Sequence, residues 1–449
     1  MYPNLYYLIE DLFGIKLNAL KLINSFGFFV ALAFIASGYV LYKELKRKEQ
    51  LGEFIALEET YVVGAPASIS ELISGFGFGF LFGYKIIGAF IIENALNNTQ
   101  AFILSLQGSW PAGIVVGGVM LYLKWREKDK LKLATPETKK YMVWPHDRVG
   151  DIVLQAALWG FLGAKIFHNL ENLDDSAKDP IGALISFSGL TFYGGLILAT
   201  IAIIIYIRKL KIRVIHFADA MAPTMLFAYA AGRIGCHMSG DGDWGIPNFN
   251  PKPFTWLPDW MWAYTYPHNV VNEGIAIPNC IGNYCNQLPL PVYPTTLYEV
   301  IGTFILFGIM WMFRKKITQP GFLTGMYLVF AGFERILIER IRVNNRIHSL
   351  PFEPTQAELI SCFLILIGIV FFGFLSIYTS NDFLGSVGLN KKRFFVLFFE
   401  GLFIFLFFVS RFIHYTHIFI LSSNGPSNRL FSRVLRTLTK VTKNEYKTT

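Results

Sequence analysis

Arginine, glycine and aspartate converge in one stretch of the chain, Ala231-Gly-Arg-Ile-Gly-Cys-His-Met-Ser-Gly-Asp-Gly-Asp-Trp-Gly245. Glycines at 232, 235, 240, 242 and 245 allow close backbone approach and dihedrals that other residues avoid. Arg233 beside such a loop suits a phosphate, because a planar guanidinium forks onto anionic oxygens. The plainer reading is a snorkelling arginine next to a flexible turn. An ionisable group at the end of an apolar span nevertheless points to function first. Cys236, His237, Asp241 and Asp243 stand in the same stretch as supporting candidates, the two aspartates for loop structure or peptide contact.

A second cluster is Phe333-Glu-Arg-Ile-Leu-Ile-Glu-Arg-Ile-Arg342. Arg335 and Glu339 are four apart and Arg342 seven from the first, a spacing that predicts one shared helical face. A carboxylate between two arginines stays ionised and turns one of them toward a bound anion. A purely structural ion pair reads equally well. Tyr193, within Ser188-Gly-Leu-Thr-Phe-Tyr-Gly-Gly195, offers a hydroxyl to a narrow site, against the commoner role of an interfacial tyrosine. In Tyr293-Pro-Thr-Thr-Leu-Tyr-Glu299, Pro294 starts a helix that carries Tyr298 and Glu299. A glutamate so placed needs a partner. His268 reads as a satisfied surface residue.

The elements that must position these groups are apolar. Of 449 residues 53% are hydrophobic and 16% charged, against about 25% charged in a soluble domain. Crossing the hydrocarbon takes about 20 residues. Stretches of that kind lie near 24–43, 68–92, 109–123, 149–168, 186–207, 215–236, 296–313, 320–338 and 358–378. The expected fold is therefore an all-α polytopic membrane protein of about nine transmembrane helices. A Phe-rich stretch at 393–410 either spans or lies on the surface. Basic runs at 43–48, 124–140, 208–213 and 314–316 flank the spans, so the net charge of +9 reads as positive-inside patterning rather than nucleic-acid binding. That rule puts the long loop 237–295, between spans six and seven, on the outer side, with Asn169 to Pro180. It is broken by Arg340, Arg342 and Arg346, which suggests that those arginines are held outside for another reason. Cys280 and Cys285 share one polar loop and can pair in an oxidising compartment. No zinc-type His/Cys spacing and no removable signal peptide is evident.

Taken together, these segments resemble the bacterial prolipoprotein diacylglyceryl transferase family. The carriers are Gly-Leu-Thr-Phe-Tyr-Gly-Gly, Gly-Arg-Ile-Gly-Cys-His-Met-Ser-Gly-Asp-Gly-Asp-Trp-Gly, Tyr-Pro-Thr-Thr-Leu-Tyr-Glu and the Arg335/Glu339 helix, in the family's order. The likeness covers roughly residues 20–43 and 149–378. It divides the chain into a first segment and span (1–43), an insertion with two extra spans (44–148), a transferase core (149–378) and a C-terminal extension (379–449). The resemblance implies transfer of the diacylglyceryl group of phosphatidylglycerol to a cysteine thiol in a prolipoprotein signal peptide, at the outer face of a bacterial inner membrane. Arg233 and Arg335 match the family's functional arginines, Glu339 its acidic helix residue and Arg342 a further arginine. Arg233, Arg335, Glu339 and Tyr193 would then be catalytic, and Arg233, Arg335 and Arg342 would bind the headgroup. The reaction implies no metal and no cofactor.

The chain also departs from the family pattern. Tyr193 stands where the family has histidine, Cys236-His237 where it has Asn-Phe, Ala331 where it has tyrosine, and Phe26-Gly27 where it has Tyr-Gly. Tyrosine, with an unperturbed pKa near 10, is a poor base at neutral pH. Rival readings are a lipid transporter or flippase, a transferase with another acceptor, and a scaffold. A transporter predicts paired broken helices in symmetric halves, and no internal repeat is visible.

Overall fold

A computed structural model describes residues 1–93, 95–96, 102–103, 105–172, 191–280, 282–344, 346–347 and 353–378, with side chains to 371. The acidic run 174–179, Ser188 to Leu190, the 393–410 stretch and the extension from 379 lie outside the described residues.

The chain is mostly helical. After a short helix, α1 (Leu5–Phe13), come α2 (Ser25–Gln50) and α3 (Ile69–Leu81), the latter continuing through a π turn (Phe82–Ile87) to Ile91. There follow α4 (Trp110–Lys130), α5 (Val149–Glu171), α6 (Phe192–Lys209) and α7 (Val214–Ser239). The last three are α8 (Thr295–Phe313), α9 (Phe322–Glu339) and α10 (Gln356–Tyr378). In its described residues, each of the nine apolar stretches falls on one of these helices. Six of the helical segments are long and apolar enough to cross a membrane: Ser25–Gln50, Ile69–Ile91, Pro145–Glu171, Phe192–Lys209, Val214–Ser239 and Thr295–Phe313. Of the other three, α10 is apolar over a shorter length, Gln356–Phe371, and the remaining two are less uniformly apolar. A charged run from Lys124 ends α4, and α9 carries Glu334, Arg335 and Glu339 in its last turns.

Two short antiparallel ribbons depart from the all-α expectation. In the first, β1 (Leu57–Val63) pairs with β2 (Glu137–Val143), Leu57 opposite Val143 and Val63 opposite Glu137. Tyr61 packs edge-on against Tyr141 at 5.0 Å, and Lys140 meets Glu58 at 2.6 Å. The ribbon closes the base of the α3–α4 hairpin, where Gly79 and Gly83 let α3 sit against the backbone of α4. The second ribbon, β3 (Ile275–Ala276) with β4 (Asn286–Gln287), lies in the long loop, where Cys280 and Cys285 are disulfide-bonded.

Polar contacts sort the helix ends into two sets. At one end Glu44 of α2 is fully buried and pairs with Arg47 at 2.9 Å and with Arg314, just past α8. Glu53 there accepts from Lys48 at 2.6 Å and lies 2.7 Å from His216 of α7. At the opposite end, Phe26 of α2 approaches Gly235 of α7, and the amide of Tyr2 donates to the Met238 carbonyl at 2.8 Å. Small residues set these distances. A β-carbon on Gly235 would lie 3.1 Å from the Phe26 carbonyl oxygen.

Asp219 of α7 fixes α9 from outside it. Its carboxylate accepts from the amides of Gly321 (2.7 Å) and Thr324 (2.9 Å) and from the Thr324 hydroxyl (2.8 Å). A helix start leaves donors without intrahelical partners, and Asp219 supplies them across the bundle. Asp219→Ala is expected to destabilise by about 1–3 kcal/mol for each orphaned group, read as a lower midpoint of thermal unfolding in detergent. An unchanged midpoint would show that another group caps α9.

Candidate active site

Three helix ends converge where α7 stops, α8 begins and α9 stops. The α7 terminus is made by Gly240, left-handed at φ +65°, whose amide closes onto the Cys236 carbonyl at 3.0 Å. The chain turns again at Gly242 (φ +101°) and runs to Gly245, which bridges to Arg342 in antiparallel fashion. Gly245 admits no side chain, since its β-carbon would lie 2.5 Å from the Ile341 carbonyl oxygen.

At the centre is Glu299, in the second turn of α8 and wholly buried. Its Oε1 accepts from Arg233 Nη2 (3.4 Å), Arg335 Nη1 (3.2 Å) and Arg342 Nη1 (3.3 Å). Its Oε2 lies 2.7 Å from Arg233 Nε, whose own hydrogen is directed to the Tyr229 hydroxyl at 3.3 Å. Asp243 forms a second bridge, accepting from Arg233 Nη1 on one oxygen and from Arg342 Nη2 (2.6 Å) on the other. Glu339 holds Arg335 alone, at 3.2 Å, and accepts from Asn344 Nδ2 at 2.6 Å. Arg233 from the end of α7 and Arg335 and Arg342 from the end of α9 and the turn after it are thus brought together on one carboxylate of α8. Burial opposes ionisation of Asp243, but the adjacent Arg233 and Arg342 outweigh it and hold its carboxyl below the usual aspartate value. Burial, with the neighbouring Asp243 charge, pushes Asp241 up instead.

The structure amends two sequence readings. The role of gathering arginines, expected of Glu339, belongs to Glu299, and among the described residues Glu339 pairs with one arginine. The helical face expected to carry Arg342 ends at Glu339, and Arg342 arrives instead by backbone pairing with Gly245. Helix α9 runs out before the seventh position of the series.

The remaining candidates divide. Tyr193 is half-buried at the start of α6, within electrostatic reach of Arg335 and Glu339. Cys236 touches Arg233 Nη1 through its sulfur at 3.6 Å, and Asp241 accepts from the Asp243 amide at 3.3 Å. His237 is buried against the Thr296 hydroxyl at 3.2 Å, and Tyr298 donates to the Met261 carbonyl at 2.9 Å. His237 thereby ties α7 to the head of α8, and Tyr298 fastens the loop. His268 meets the Tyr284 carbonyl at 2.7 Å, as a satisfied residue should. Of the outlying arginines, Arg340 pairs with Glu358 of α10 at 3.1 Å. Tyr229 and Glu334 escaped the sequence reading. Tyr229 lies one helical turn before Arg233, with its ring centre 5.3 Å from the guanidinium. Glu334 is buried beside the cluster, with Oε1 unpaired among the described residues.

One group among the described residues has the spacing of metal ligands: Cys236 Sγ and carboxylate oxygens of Asp241 and Asp243, within 4.8 Å of one another. Both Asp243 oxygens already face guanidiniums. A cation there would be repelled by Arg233 and Arg342, whose guanidiniums already supply the positive charge that Asp243 faces.

Fold and site together define a helical membrane protein that gathers arginines and carboxylates at one end of its bundle. The chain matches the family model "Prolipoprotein diacylglyceryl transferase" over residues 110–374, more than half its length, and belongs to that family. It is 28% identical over 214 residues to the phosphatidylglycerol–prolipoprotein diacylglyceryl transferase of Leptospira interrogans, covering 42% of this chain and 59% of that protein. The enzyme of the same name from Corynebacterium efficiens is 28% identical over 234 residues (49% and 67% covered). That from Rhodospirillum rubrum is 25% identical over 278 residues (61% and 85%). The chain therefore spans 59% of the length of the Leptospira relative.

Proposed function

We propose that the protein transfers the diacylglyceryl group of phosphatidylglycerol to the lipobox cysteine of prolipoproteins, releasing glycerol phosphate. The convergence of Arg233, Arg335 and Arg342 on the buried Glu299 carries the reading. Guanidiniums set in advance at one spot stabilise charge that develops on a departing phosphate, most strongly where water is scarce. The acceptor thiolate attacks the glycerol carbon that bears the phosphate ester. A carbon–sulfur bond forms, the carbon–oxygen bond breaks, and the electron pair leaves on the phosphate oxygen. The thiol, with an ordinary pKa near 8.5, is a few per cent ionised at neutrality, and a positive field raises that share. Arg233, Arg335 and Arg342 hold the headgroup phosphate, Glu299 and Glu339 aim them, and Tyr193 orients the lipid by its hydroxyl.

Nine spans with the arginine end at the outer face of a bacterial inner membrane accord with the sorting of helix ends. The ends that share the Glu44 and Glu53 contacts are those flanked by the basic runs. Loop 237–295, with its disulfide, then faces an oxidising compartment. Residues 44–148 and the segment beyond 378 are additions to a core at 149–378.

Purified protein given phosphatidylglycerol and a lipobox peptide is expected to release glycerol phosphate and gain a thioether on the peptide. A lipid transporter would bind the lipid and release nothing, and that result would overturn the reading. Tyr193→Phe is expected to raise KM for the lipid several-fold with the fold intact. Unchanged kinetics would return Tyr193 to an interfacial role.

A further inference from the structure

The three guanidiniums of the site face three carboxylates, Glu299, Glu339 and Asp243. A phosphate entering among them adds a negative charge to a set already in balance. Glu299 and Glu339 cannot yield, since both side chains are wholly buried and both belong to helices. Asp243 differs. It sits on the glycine-rich loop, and its side chain is 35% exposed. Each of its oxygens engages a different arginine, Arg233 and Arg342, much as two oxygens of a phosphate would.

The backbone beneath it is pinned. The Thr295 hydroxyl donates to the Asp243 carbonyl at 2.7 Å, and the Gly245 amide to the Tyr293 carbonyl at 2.9 Å. The carboxylate can therefore turn about its side-chain bonds into water while the helix ends stay in place. Rotamer changes of side chains that reach water take picoseconds to nanoseconds, and the arriving phosphate replaces the two ion pairs that the turn gives up.

We propose that Asp243 is an internal competitor of the substrate phosphate, covering the guanidinium edges of Arg233 and Arg342 and swinging aside as a phosphate group arrives. The exchange keeps the buried cluster near neutrality throughout. It also makes the site discriminate: a ligand must bring enough negative charge to replace a carboxylate, so uncharged and zwitterionic headgroups are disfavoured. This inference takes its ligand from the function proposed above.

The test is the affinity for inorganic phosphate, measured by calorimetric titration of the full chain in detergent. Asp243→Asn keeps the shape and one acceptor oxygen but removes the competing charge. It is expected to bind phosphate at least ~10-fold more tightly than the native chain, a modest share of the coupling measured between close charge pairs. Its KM for phosphatidylglycerol should fall with no rise in kcat. Asp243→Ala is expected to bind more tightly as well, and Asp243→Glu, which retains the charge, to stay near the native value. Melting curves taken alongside show which variants keep the fold. Equal or weaker phosphate binding in folded Asp243→Asn and Asp243→Ala would make Asp243 a structural brace and overturn the proposal while leaving the transferase reading intact. Absence of phosphate binding in the native chain and all three variants would count against both.

Discussion

Replacing Arg233 or Arg335 by alanine will slow the release of glycerol phosphate from phosphatidylglycerol by at least ~100-fold, the range found when one preorganised donor to a developing anion is removed. The loss will fall on kcat at least as much as on KM, because the leaving phosphate gains charge only as its bond to carbon breaks. The fold should survive each single change. Either substitution leaves Glu299 with two of its three arginines, since each binds it independently. Lysine will not rescue Arg233. That guanidinium reaches Asp243, Glu299, Tyr229 and Cys236 at once, and an ammonium cannot span such a fork. The measurement is turnover with a lipobox peptide in detergent, beside a melting curve for each variant. Native turnover in a folded Arg233→Ala or Arg335→Ala protein would remove the arginine cluster from the chemistry.

What the sequence revealed and what it concealed follow one physical divide. Spans are local: an apolar run of membrane length must close its own backbone hydrogen bonds, so its helix can be read from the run itself. Among the described residues, each of the nine apolar stretches is accordingly helical. Arg233 and the Arg335/Glu339 pair were legible for a related reason, as costly groups at the ends of such runs. Glu299 was visible only as a glutamate in want of a partner. Its arginines lie 66, 36 and 43 positions away, and no local pattern ranks it above Glu339, which sits four residues from an arginine. Tyr229 was hidden in the same way, as one aromatic among many in an apolar helix. The β1–β2 ribbon needs pairing across the whole α3–α4 hairpin, and most of its residues face outward, so the alternation that marks a half-buried strand is missing. The fastening of α9 by Asp219 likewise depends on contacts more than a hundred residues apart.

Glu299→Gln should be the most damaging single change to the bundle. Glutamine has nearly the same volume and keeps one carbonyl oxygen, so packing at the head of α8 is preserved and only the charge is lost. The loss leaves three guanidiniums facing one another with Asp243 and Glu339 to balance them, in a place where Glu299 itself has no exposure. Removing one partner from a buried ionic cluster typically costs about 3–5 kcal/mol, because the charges left behind stay desolvated. A marginally stable bundle would show this as a large drop in unfolding temperature. Glu339→Gln should cost less, as it deprives Arg335 alone. The same reasoning predicts a rescue. Inorganic phosphate restores the missing anion, and a ligand bound only to the folded state stabilises by about RT ln(1 + [L]/Kd). Thermal unfolding in detergent should therefore show a larger phosphate-dependent rise for Glu299→Gln than for the native chain. If Glu299→Gln melts like the native protein and ignores phosphate, the three arginines do not depend on a shared carboxylate, and their convergence on Glu299 would not be what holds the site.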